Sequence, residues 1–273
     1  MIKSLRDLLV VSDLDGTLLT AKEGIPACNR EMLRLFAAMG GRFTVASGRS
    51  PLSVERALDG IPLSTPAIVF NGGMLYDYEQ RQPLCRHFVP RETAVDAVRM
   101  LTRELPGLGV EVLADNDRMY LPAANQFTYL HTLHEQLPYV LAELEEIPGE
   151  WFKVLFAAAP AEIDRLEAAA EGQTWEGAYF VRTSPTYYEL MPAGIDKGSA
   201  LRELCEKLAI PRENVVAIGD HHNDISLLRA AGCPVAVGNA VPQLKMVSER
   251  EMLPCRDGGV AQLLYELIKR YGD

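Results

Sequence analysis

The sequence lacks a basic excess, because 37 acidic residues outnumber 27 lysines and arginines and leave a formal net charge of −10. A generic nucleic-acid-binding protein needs a basic surface, and a polybasic membrane anchor needs a basic cluster, so the charge disfavours both classes. The chain also lacks any apolar run approaching the roughly 20 residues that a membrane-spanning helix requires. We therefore expect partners that are neither nucleic acids nor membranes.

Cysteine is scarce, and its spacing excludes a disulfide framework. The five cysteines are odd in number, form no C-x-x-C pair and are scattered along the chain, at Cys28, Cys85, Cys205, Cys233 and Cys255. Such usage is typical of reduced thiols in a cytosolic protein. The first seven residues contain no long apolar segment of the kind that a signal peptide needs, so we expect a cytoplasmic protein.

What the sequence does contain is the ordinary composition of a folded protein. Its 273 residues are 48% hydrophobic and 23% charged. The first part alternates short apolar runs with segments of helical periodicity, which is typical of a doubly wound parallel sheet. The predicted strands are 8–12, 42–46 and 67–70, and the predicted helices are 29–39 and 50–58.

The pattern changes after about residue 80, where helices are followed by paired extended segments. Helices are predicted at 91–105, 125–144 and 162–171, and extended segments at 110–113, 119–121, 152–157, 179–182 and 187–191. From residue 197 the alternation returns, with helices at 199–208, 224–231 and 259–271 and strands at 215–218 and 235–237. We predict an α/β core formed by 1–82 and 187–273, with an α+β module, 83–186, inserted between them.

Four polar clusters follow predicted strands of the core, at 13–18, 47–49, 71–72 and 219–224. The carboxyl ends of parallel strands open onto one crevice, so clusters far apart in sequence converge there. Each cluster alone also suits an ordinary turn, since aspartate, asparagine and glycine favour turns and helix starts. Their recurrence at the same end of successive strands favours a functional site.

The chemistry of these side chains favours phosphoryl transfer. Asp13, Asp15 and Asp220 crowd three carboxylates together, which is costly unless a cation compensates or a proton is held. Oxygen ligands without histidine suit Mg²⁺. Lys197 supplies an opposing positive charge and Ser47 a hydroxyl donor. Together they provide a carboxylate nucleophile, an acid, a metal site and donors for phosphoryl oxygens.

Four motifs together carry a resemblance to a known family. They are D-x-D-G-T-L at 13–18, S-G-R at 47–49, D-K-G at 196–198 and G-D-x-x-N-D at 219–224. In order and spacing the chain resembles the haloacid dehalogenase (HAD) superfamily, specifically the Cof-like phosphatases with a type IIB cap. The resemblance covers essentially the whole chain. It implies a Rossmann-like core with an inserted cap and a phosphatase activity on small phosphate esters, sugar phosphates among them.

The resemblance also implies roles for the acidic residues. Asp13 resembles the nucleophile that becomes an aspartyl-phosphate, and Asp15 the general acid that later serves as base. Mg²⁺ would be held by the carboxylates of Asp13 and Asp220 and the main-chain carbonyl of Asp15. Asp224 would support the metal or Lys197 from nearby.

The same resemblance implies a set of phosphate-binding residues. Ser47 and Lys197 would bind phosphoryl oxygens, and Lys197 would also screen the charge of the nucleophile. Asn223 would contact the phosphate, Gly48 would shape the loop, and Asn71 would line the site.

Other interpretations remain at this point. Relatives with these motifs and this cap type include phosphosugar mutases, which need a second phosphate site, normally a cluster of cap arginines; the arginines here are dispersed. A non-catalytic phosphometabolite sensor usually lacks the nucleophile or the acid, whereas both are present. His221 and His222 fill the variable positions of the last motif and leave room for softer divalent ions. We expect a monomer or a weak homodimer.

Overall fold

The structure of the protein is a computed structural model, which describes residues 2–272. The chain divides into two compact units. The core unit consists of 2–48, 54–85 and 196–272, and the cap unit consists of 49–53 and 86–195. Each unit has its own sheet system and is described by itself.

Strands and helices are numbered in chain order. The strands are β1 (Leu9–Ser12), β2 (Arg42–Val45), β3 (Ala67–Val69), β4 (Met74–Asp77), β5 (Gln82–Arg86), β6 (Gly109–Ala114), β7 (Met119–Ala123), β8 (Tyr139–Leu141), β9 (Trp151–Ala157), β10 (Ala178–Ser184), β11 (Tyr187–Pro192), β12 (Val215–Gly219), β13 (Cys233–Ala236) and β14 (Arg250–Glu251). The helices are α1 (Ala27–Ala38), α2 (Pro51–Leu58), α3 (Arg91–Glu104), α4 (Gln126–Glu135), α5 (Pro160–Glu171), α6 (Lys197–Lys207), α7 (Ile225–Ala230), α8 (Pro242–Lys245) and α9 (Gly259–Tyr271).

The core unit is built on a parallel five-stranded sheet in the order β14-β13-β12-β1-β2. Neighbouring strands are parallel throughout, and β1 lies between β12 and β2 with all four of its residues buried. This explains why β1 is a continuous apolar run, since a central parallel strand is covered on both faces. The predicted α/β class is confirmed.

The third predicted strand differs in its partners. β3 pairs antiparallel with β4 in a small three-stranded sheet, β3-β4-β5, that was not predicted from the sequence. It still joins the main sheet through a parallel bridge between Ala46 and Ile68. The amide of Ser47 donates to the carbonyl oxygen of Ile68 at 2.9 Å. The ends of β2 and β3 therefore lie side by side, although the two strands belong to different sheets.

The cap unit contains a six-stranded sheet in the order β10-β11-β9-β6-β7-β8, antiparallel except for the parallel pair β7–β8. One face is apolar and packs against α3 and α5, whose buried residues all join the same hydrophobic cluster. β11 pairs with both β9 and β10, so Tyr187–Pro192 is a strand of the cap sheet. The predicted α+β cap with its own antiparallel sheet is confirmed.

One predicted helix of the cap is too long. Helix α4 ends at Glu135, whereas the sequence pattern predicts a helix over 125–144. Gln136 adopts a left-handed conformation with φ 54°, and Pro138 cannot continue the helical hydrogen bonds. The chain then forms β8, which pairs with β7. The prediction is wrong because alternating apolar residues in a short segment suit either element until the stop signals are weighed.

Candidate active site

The residues predicted to act together lie at one edge of the parallel sheet. Asp13 directly follows β1, Ser47 follows β2 by two residues, and Asp220 directly follows β12. Lys197 is the first residue of α6, and Asp224 immediately precedes α7. The structure therefore brings together groups that are up to about two hundred residues apart in sequence, as the rule for parallel sheets requires.

The centre of the site is a buried chain of charges. Lys197 Nζ donates to Asp13 Oδ1 at 2.6 Å and to Asp224 Oδ1 at 2.7 Å. Lys197 is 1% exposed, Asp13 5% and Asp224 0%, so all three charges are removed from water. A lysine this deeply buried needs such partners, because an unpaired ammonium is strongly disfavoured in the interior.

The start of α6 is fixed by close packing and by an N-cap residue, Asp196. The side chain of Asp196 accepts a hydrogen bond from the amide of Ser199 at 2.7 Å. A methyl group on Gly198 would overlap the carbonyl oxygen of Ser226, so α6 approaches α7 as closely as only glycine allows. These local constraints fix the backbone at Lys197, whose side chain reaches Asp13 and Asp224.

A second group of contacts positions Asp220. Thr17 Oγ1 donates to Asp220 Oδ1 at 2.9 Å. Gly16 has φ 85°, and a methyl group there would lie 2.5 Å from Asp220 Oδ2. Glycine is needed at this position on two grounds, the left-handed backbone and the space occupied by the carboxylate.

Asp224 has both oxygens engaged. Oδ1 accepts from Lys197, and Oδ2 accepts from the main-chain amides of Asp220 and His221 at 3.0 and 3.1 Å. The carboxylate thus ties the lysine to the loop after β12. Its lone pairs are directed at these donors, which suits a residue that positions others more than a direct metal ligand.

The electrostatics of the site are those of crowded, buried acids. Burial, together with the neighbouring Asp224, raises the pKa of Asp13 well above its usual value. The same two causes raise the pKa of Asp220 to about 6. Burial alone would lower the pKa of Lys197, but the carboxylates of Asp13 and Asp224 outweigh it and raise that pKa. The lysine therefore carries its charge at neutral pH.

The donor set fits a hard divalent cation. One carboxylate oxygen from each of Asp13, Asp220 and Asp224 lies within 4.8 Å of the others. Among residues 2–272, Lys197 is the lysine that opposes these three acids, and the pKa values of Asp13 and Asp220 are still raised. A bound cation would stabilise their ionised forms. Carboxylate oxygens in such a cluster are the ligands that Mg²⁺ prefers.

The predicted phosphate-binding residues also lie in the core unit. The main-chain amide of Asn71 donates to the carbonyl oxygen of Ser47 at 2.9 Å. The side chain of Asn223 donates through Nδ2 to Asn71 Oδ1 at 3.2 Å. Asn71 is buried with φ 54°, a conformation that asparagine tolerates better than most residues. A methyl group on Gly48 would lie 3.1 Å from the Asn71 amide. A main-chain hydrogen bond thus joins the loops after β2 and β3, and a side-chain hydrogen bond joins the loops after β3 and β12.

Asp15 and the two histidines lie around this centre. Asp15 is half-buried in the loop after β1 and forms a main-chain bridge with Leu19. The imidazoles of His221 and His222 meet edge to face with centroids 4.8 Å apart, and His222 is exposed. Burial and the neighbouring His222 lower the pKa of His221, which favours a neutral ring.

Asn239, which was not predicted from the sequence, supports the loop after β1. Its Nδ2 donates to the carbonyl oxygen of Gly16 at 2.8 Å, and its Oδ1 accepts from the amide of Cys255 at 2.7 Å. Asn239 follows β13, the fifth place where a polar residue comes after a core strand. That recurrence was the available signal.

Comparison with known proteins assigns this site to a class. The family model of the haloacid dehalogenase-like hydrolases matches residues 10–264. The chain therefore belongs to the haloacid dehalogenase-like hydrolase family, and the resemblance stated from its motifs is confirmed. A solved haloacid dehalogenase-like hydrolase from Bacteroides thetaiotaomicron is similar in structure, with a TM-score of 0.86 and 26% identity over 95% of this chain and 99% of that one.

Curated relatives narrow the class to phosphatases. Phosphatase YwpJ of Bacillus subtilis strain 168 is 29% identical over 95% of this chain and 99% of its own length. Pyridoxal phosphate phosphatase YbhA of Escherichia coli strain K12 is 27% identical over 94% of this chain and 97% of its own length. The protein is thus a phosphatase of this family. Within residues 2–272, no helix has the length and apolar character needed to cross a membrane.

Proposed function

We propose that the protein is a Mg²⁺-dependent phosphatase that hydrolyses small phosphorylated metabolites, sugar phosphates in particular, through an aspartyl-phosphate on Asp13. The observation that carries the proposal is the buried Asp13–Lys197–Asp224 chain beside Asp220, at the carboxyl ends of parallel strands. In this proposal the core, predicted as 1–82 and 187–273, carries catalysis. The cap, predicted as 83–186 and extended by the cap strand Tyr187–Pro192, selects the substrate.

Asp13 acts as the nucleophile in this scheme. One carboxylate oxygen attacks phosphorus in line with the departing alcohol, and the phosphorus–oxygen bond to that alcohol breaks. Lys197, 2.6 Å from Oδ1, favours the charged carboxylate and so opposes the effect of burial on the pKa of Asp13. The amide of Asp13 donates to the carbonyl oxygen of Ile218 at 2.8 Å, which holds the nucleophile in register with β12.

Asp15 transfers the protons. It donates one to the oxygen of the leaving alcohol and then takes one from the water that attacks the aspartyl-phosphate, which regenerates Asp13. Its position two residues after the nucleophile and its partial exposure support this role, since a general acid must exchange protons with solvent between turnovers.

The phosphoryl oxygens need donors that are already in position. Ser47 and Lys197 fill this role, with Asn223 as a further donor and Gly48 and Asn71 shaping the pocket. Asn71 is fixed by its contacts with Ser47 and Asn223, which supports a pre-organised arrangement.

Mg²⁺ would be held by the carboxylates of Asp13 and Asp220 and the carbonyl oxygen of Asp15. When bound, the ion supplies positive charge against the phosphoryl oxygens and the crowded carboxylates. Asp224 would hold Lys197 and the loop after β12 in place, in keeping with its fully engaged oxygens.

The contacts of three of the seven arginines in 83–186 argue against the mutase alternative. Arg91 donates to the carbonyl oxygens of Ile147 and Gly149. Arg99 pairs with Glu145, and Arg182 pairs with Asp164 and with Glu167. These three arginines are already engaged by carbonyl or carboxylate oxygens, which disfavours them as a ready-made second phosphate site.

The state of the thiols supports a proposed cytoplasmic setting. The structure has five free cysteines, at Cys28, Cys85, Cys205, Cys233 and Cys255, and Cys255 is buried. Burial raises the pKa of Cys85 and Cys205 to about 11, so these thiols stay protonated and weakly reactive. We propose that the protein acts in the cytoplasm, as a monomer or weak homodimer.

A screen of phosphate esters tests this function. With Mg²⁺ present, inorganic phosphate is expected from several sugar phosphates, and removal of the ion with EDTA is expected to lower kcat at least about 100-fold. Restoring Mg²⁺ restores turnover, whereas Ca²⁺, which tolerates looser geometry, restores little. Release of phosphate that is unaffected by EDTA, or conversion of a hexose 1-phosphate to its 6-phosphate without phosphate release, would refute the proposal.

A further inference from the structure

The second face of the cap sheet carries a layer of buried charge. Along β6, β9 and β11, the residues that alternate with the apolar cluster include Glu111, Lys153 and Glu189. They are 0%, 2% and 3% exposed. A sheet face that needed only stability would be apolar, because replacing buried ion pairs with apolar side chains is often neutral or stabilising.

Helix α4 adds two more charged groups to this layer. His131 Nδ1 lies 2.6 Å from Glu111 Oε2, and His131 Nε2 lies 3.9 Å from Glu135 Oε1. His131 and Glu135 are one helical turn apart and 7% and 4% exposed. We call the five residues Glu111, His131, Glu135, Lys153 and Glu189 the cap cluster; all belong to the cap unit.

Two of the five residues of the cap cluster, Lys153 and Glu189, form an ion pair with each other. Lys153 Nζ donates to Glu189 Oε1 at 3.0 Å, and Thr183 Oγ1 donates to the same oxygen at 3.1 Å. This lysine and glutamate neutralise each other. The charge that remains to be balanced lies on Glu111, Glu135 and His131.

Among the other three residues of the cap cluster, Glu111 and Glu135 each have one carboxylate oxygen without a hydrogen-bond donor in the part of the chain that the structure describes. Glu111 Oε1 and Glu135 Oε2 are both fully buried, and neither has a hydrogen-bond partner among residues 2–272. Burial raises the pKa of Glu111 even though the neighbouring His131 opposes the shift. Burial lowers the pKa of His131, but Glu111 and Glu135 outweigh it, so the ring favours the imidazolium form.

Counting charges identifies the chemistry that the cluster lacks. With all three carboxylates ionised, one lysine and one imidazolium leave one net negative charge in a buried layer, and the raised pKa of Glu111 reflects this imbalance. A protonated primary amine carries one positive charge and three N–H donors, so one such group supplies both the missing charge and the missing hydrogen bonds. A hydroxyl supplies a donor and no charge.

We propose that the cap cluster binds the protonated amine of a small molecule, through Glu111 Oε1 and Glu135 Oε2. The amine has two possible sources: the alcohol portion of the phosphate ester, or a separate small amine. The first source rests on the proposed function and narrows its substrates to aminated phosphate esters. His131 orients Glu111, and the Lys153–Glu189 pair supports the layer from the next strands.

The first arm of the test compares kcat/KM for esters that differ by an amine or a hydroxyl. The pairs are glucosamine 6-phosphate with glucose 6-phosphate, pyridoxamine 5′-phosphate with pyridoxine 5′-phosphate, and phosphoethanolamine with glycol phosphate. The amine member of at least one pair is expected to be preferred by about 10-fold or more. In Glu111→Gln/Glu135→Gln the preference falls to about twofold, while kcat/KM for the hydroxyl member changes by less than about threefold.

The second arm measures the free amines glucosamine, pyridoxamine and ethanolamine by titration calorimetry. One-to-one binding that the double variant loses, without a preference among the esters, assigns the cluster to a separate amine and supports the proposal. Calorimetry does not depend on turnover. Amine binding can therefore be measured even if no ester is hydrolysed and the proposed function is refuted.

The controls separate recognition from folding. Glu145→Gln changes the same side chain at an exposed position of the cap unit, where Glu145 pairs with Arg99, and is expected to behave like the wild type. Each single glutamine variant is measured together with its thermal melt. If no ester pair shows an amine preference and no free amine shows binding that the folded variants lose, the cluster only shares protons internally and the proposal is overturned.

Discussion

Replacing Asp13 by asparagine is expected to lower kcat by roughly four orders of magnitude without unfolding the protein. The amide has nearly the same shape as the carboxylate, but its oxygen is a poor nucleophile and it cannot form a stable acyl phosphate. Asp13 lies 2.6 Å from Lys197 and is 5% exposed, so solvent cannot replace the missing charge. The measurement is phosphate release under saturating substrate and Mg²⁺.

The matched control for this variant is Asp59→Asn. Asp59 is also in the core unit, but its side chain is 77% exposed and forms an ion pair with Arg30 at 3.3 Å. Its turnover is expected to stay within about twofold of the wild type, since exposed ion pairs contribute little. An Asp13→Asn enzyme with more than a tenth of wild-type turnover would rule out Asp13 as the nucleophile.

Replacing Lys197 by methionine is expected to affect both activity and stability. The variant loses a donor to the phosphoryl group, which lowers kcat by about 10²- to 10³-fold. It also leaves the buried carboxylates of Asp13 and Asp224 without their common partner, which lowers the free energy of unfolding by about 3–5 kcal/mol. Chemical denaturation and steady-state kinetics measure the two effects separately.

The stability loss in Lys197→Met has a predictable pH dependence. Burial already raises the pKa of Asp13, and removing the lysine raises it further. A folded-state pKa above the unfolded value means that the folded protein binds more protons, so the stability deficit shrinks as the pH is lowered. Lys207→Met, at the exposed end of the same helix, is the control and should show a pH-independent change below about 1 kcal/mol.

The parts predicted well from the sequence are those governed by the rules of parallel sheets. The apolar run of β1 indicates a central strand, and the polar residues after β1, β2 and β12 indicate a shared crevice. These inferences needed no knowledge of side-chain contacts. The position of Lys197 in the site could not be predicted in this way. Lys197 is the first residue of α6, and its place depends on the packing of α6 on α7 through Gly198.

The parts predicted poorly depend on tertiary contacts or on weak local signals. The end of α4 is set by Gln136 and Pro138, which compete with a continuing apolar pattern. The cap cluster was also missed, although Glu111, Lys153 and Glu189 each interrupt an apolar strand. A charge inside such a strand signals a buried polar contact, but its partner lies on another strand or helix that periodicity alone does not identify.

The central claim is a covalent phosphoryl group on Asp13, and acid quenching during turnover tests it most directly. The quenched enzyme is reduced with sodium borohydride, which converts an aspartyl-phosphate to homoserine, and the peptide containing Leu9–Ser12 and Asp13 is sequenced by mass spectrometry. We predict homoserine at position 13, dependent on both substrate and Mg²⁺. An unmodified Asp13 in enzyme quenched at full turnover, or homoserine at Asp15 instead, would contradict the account.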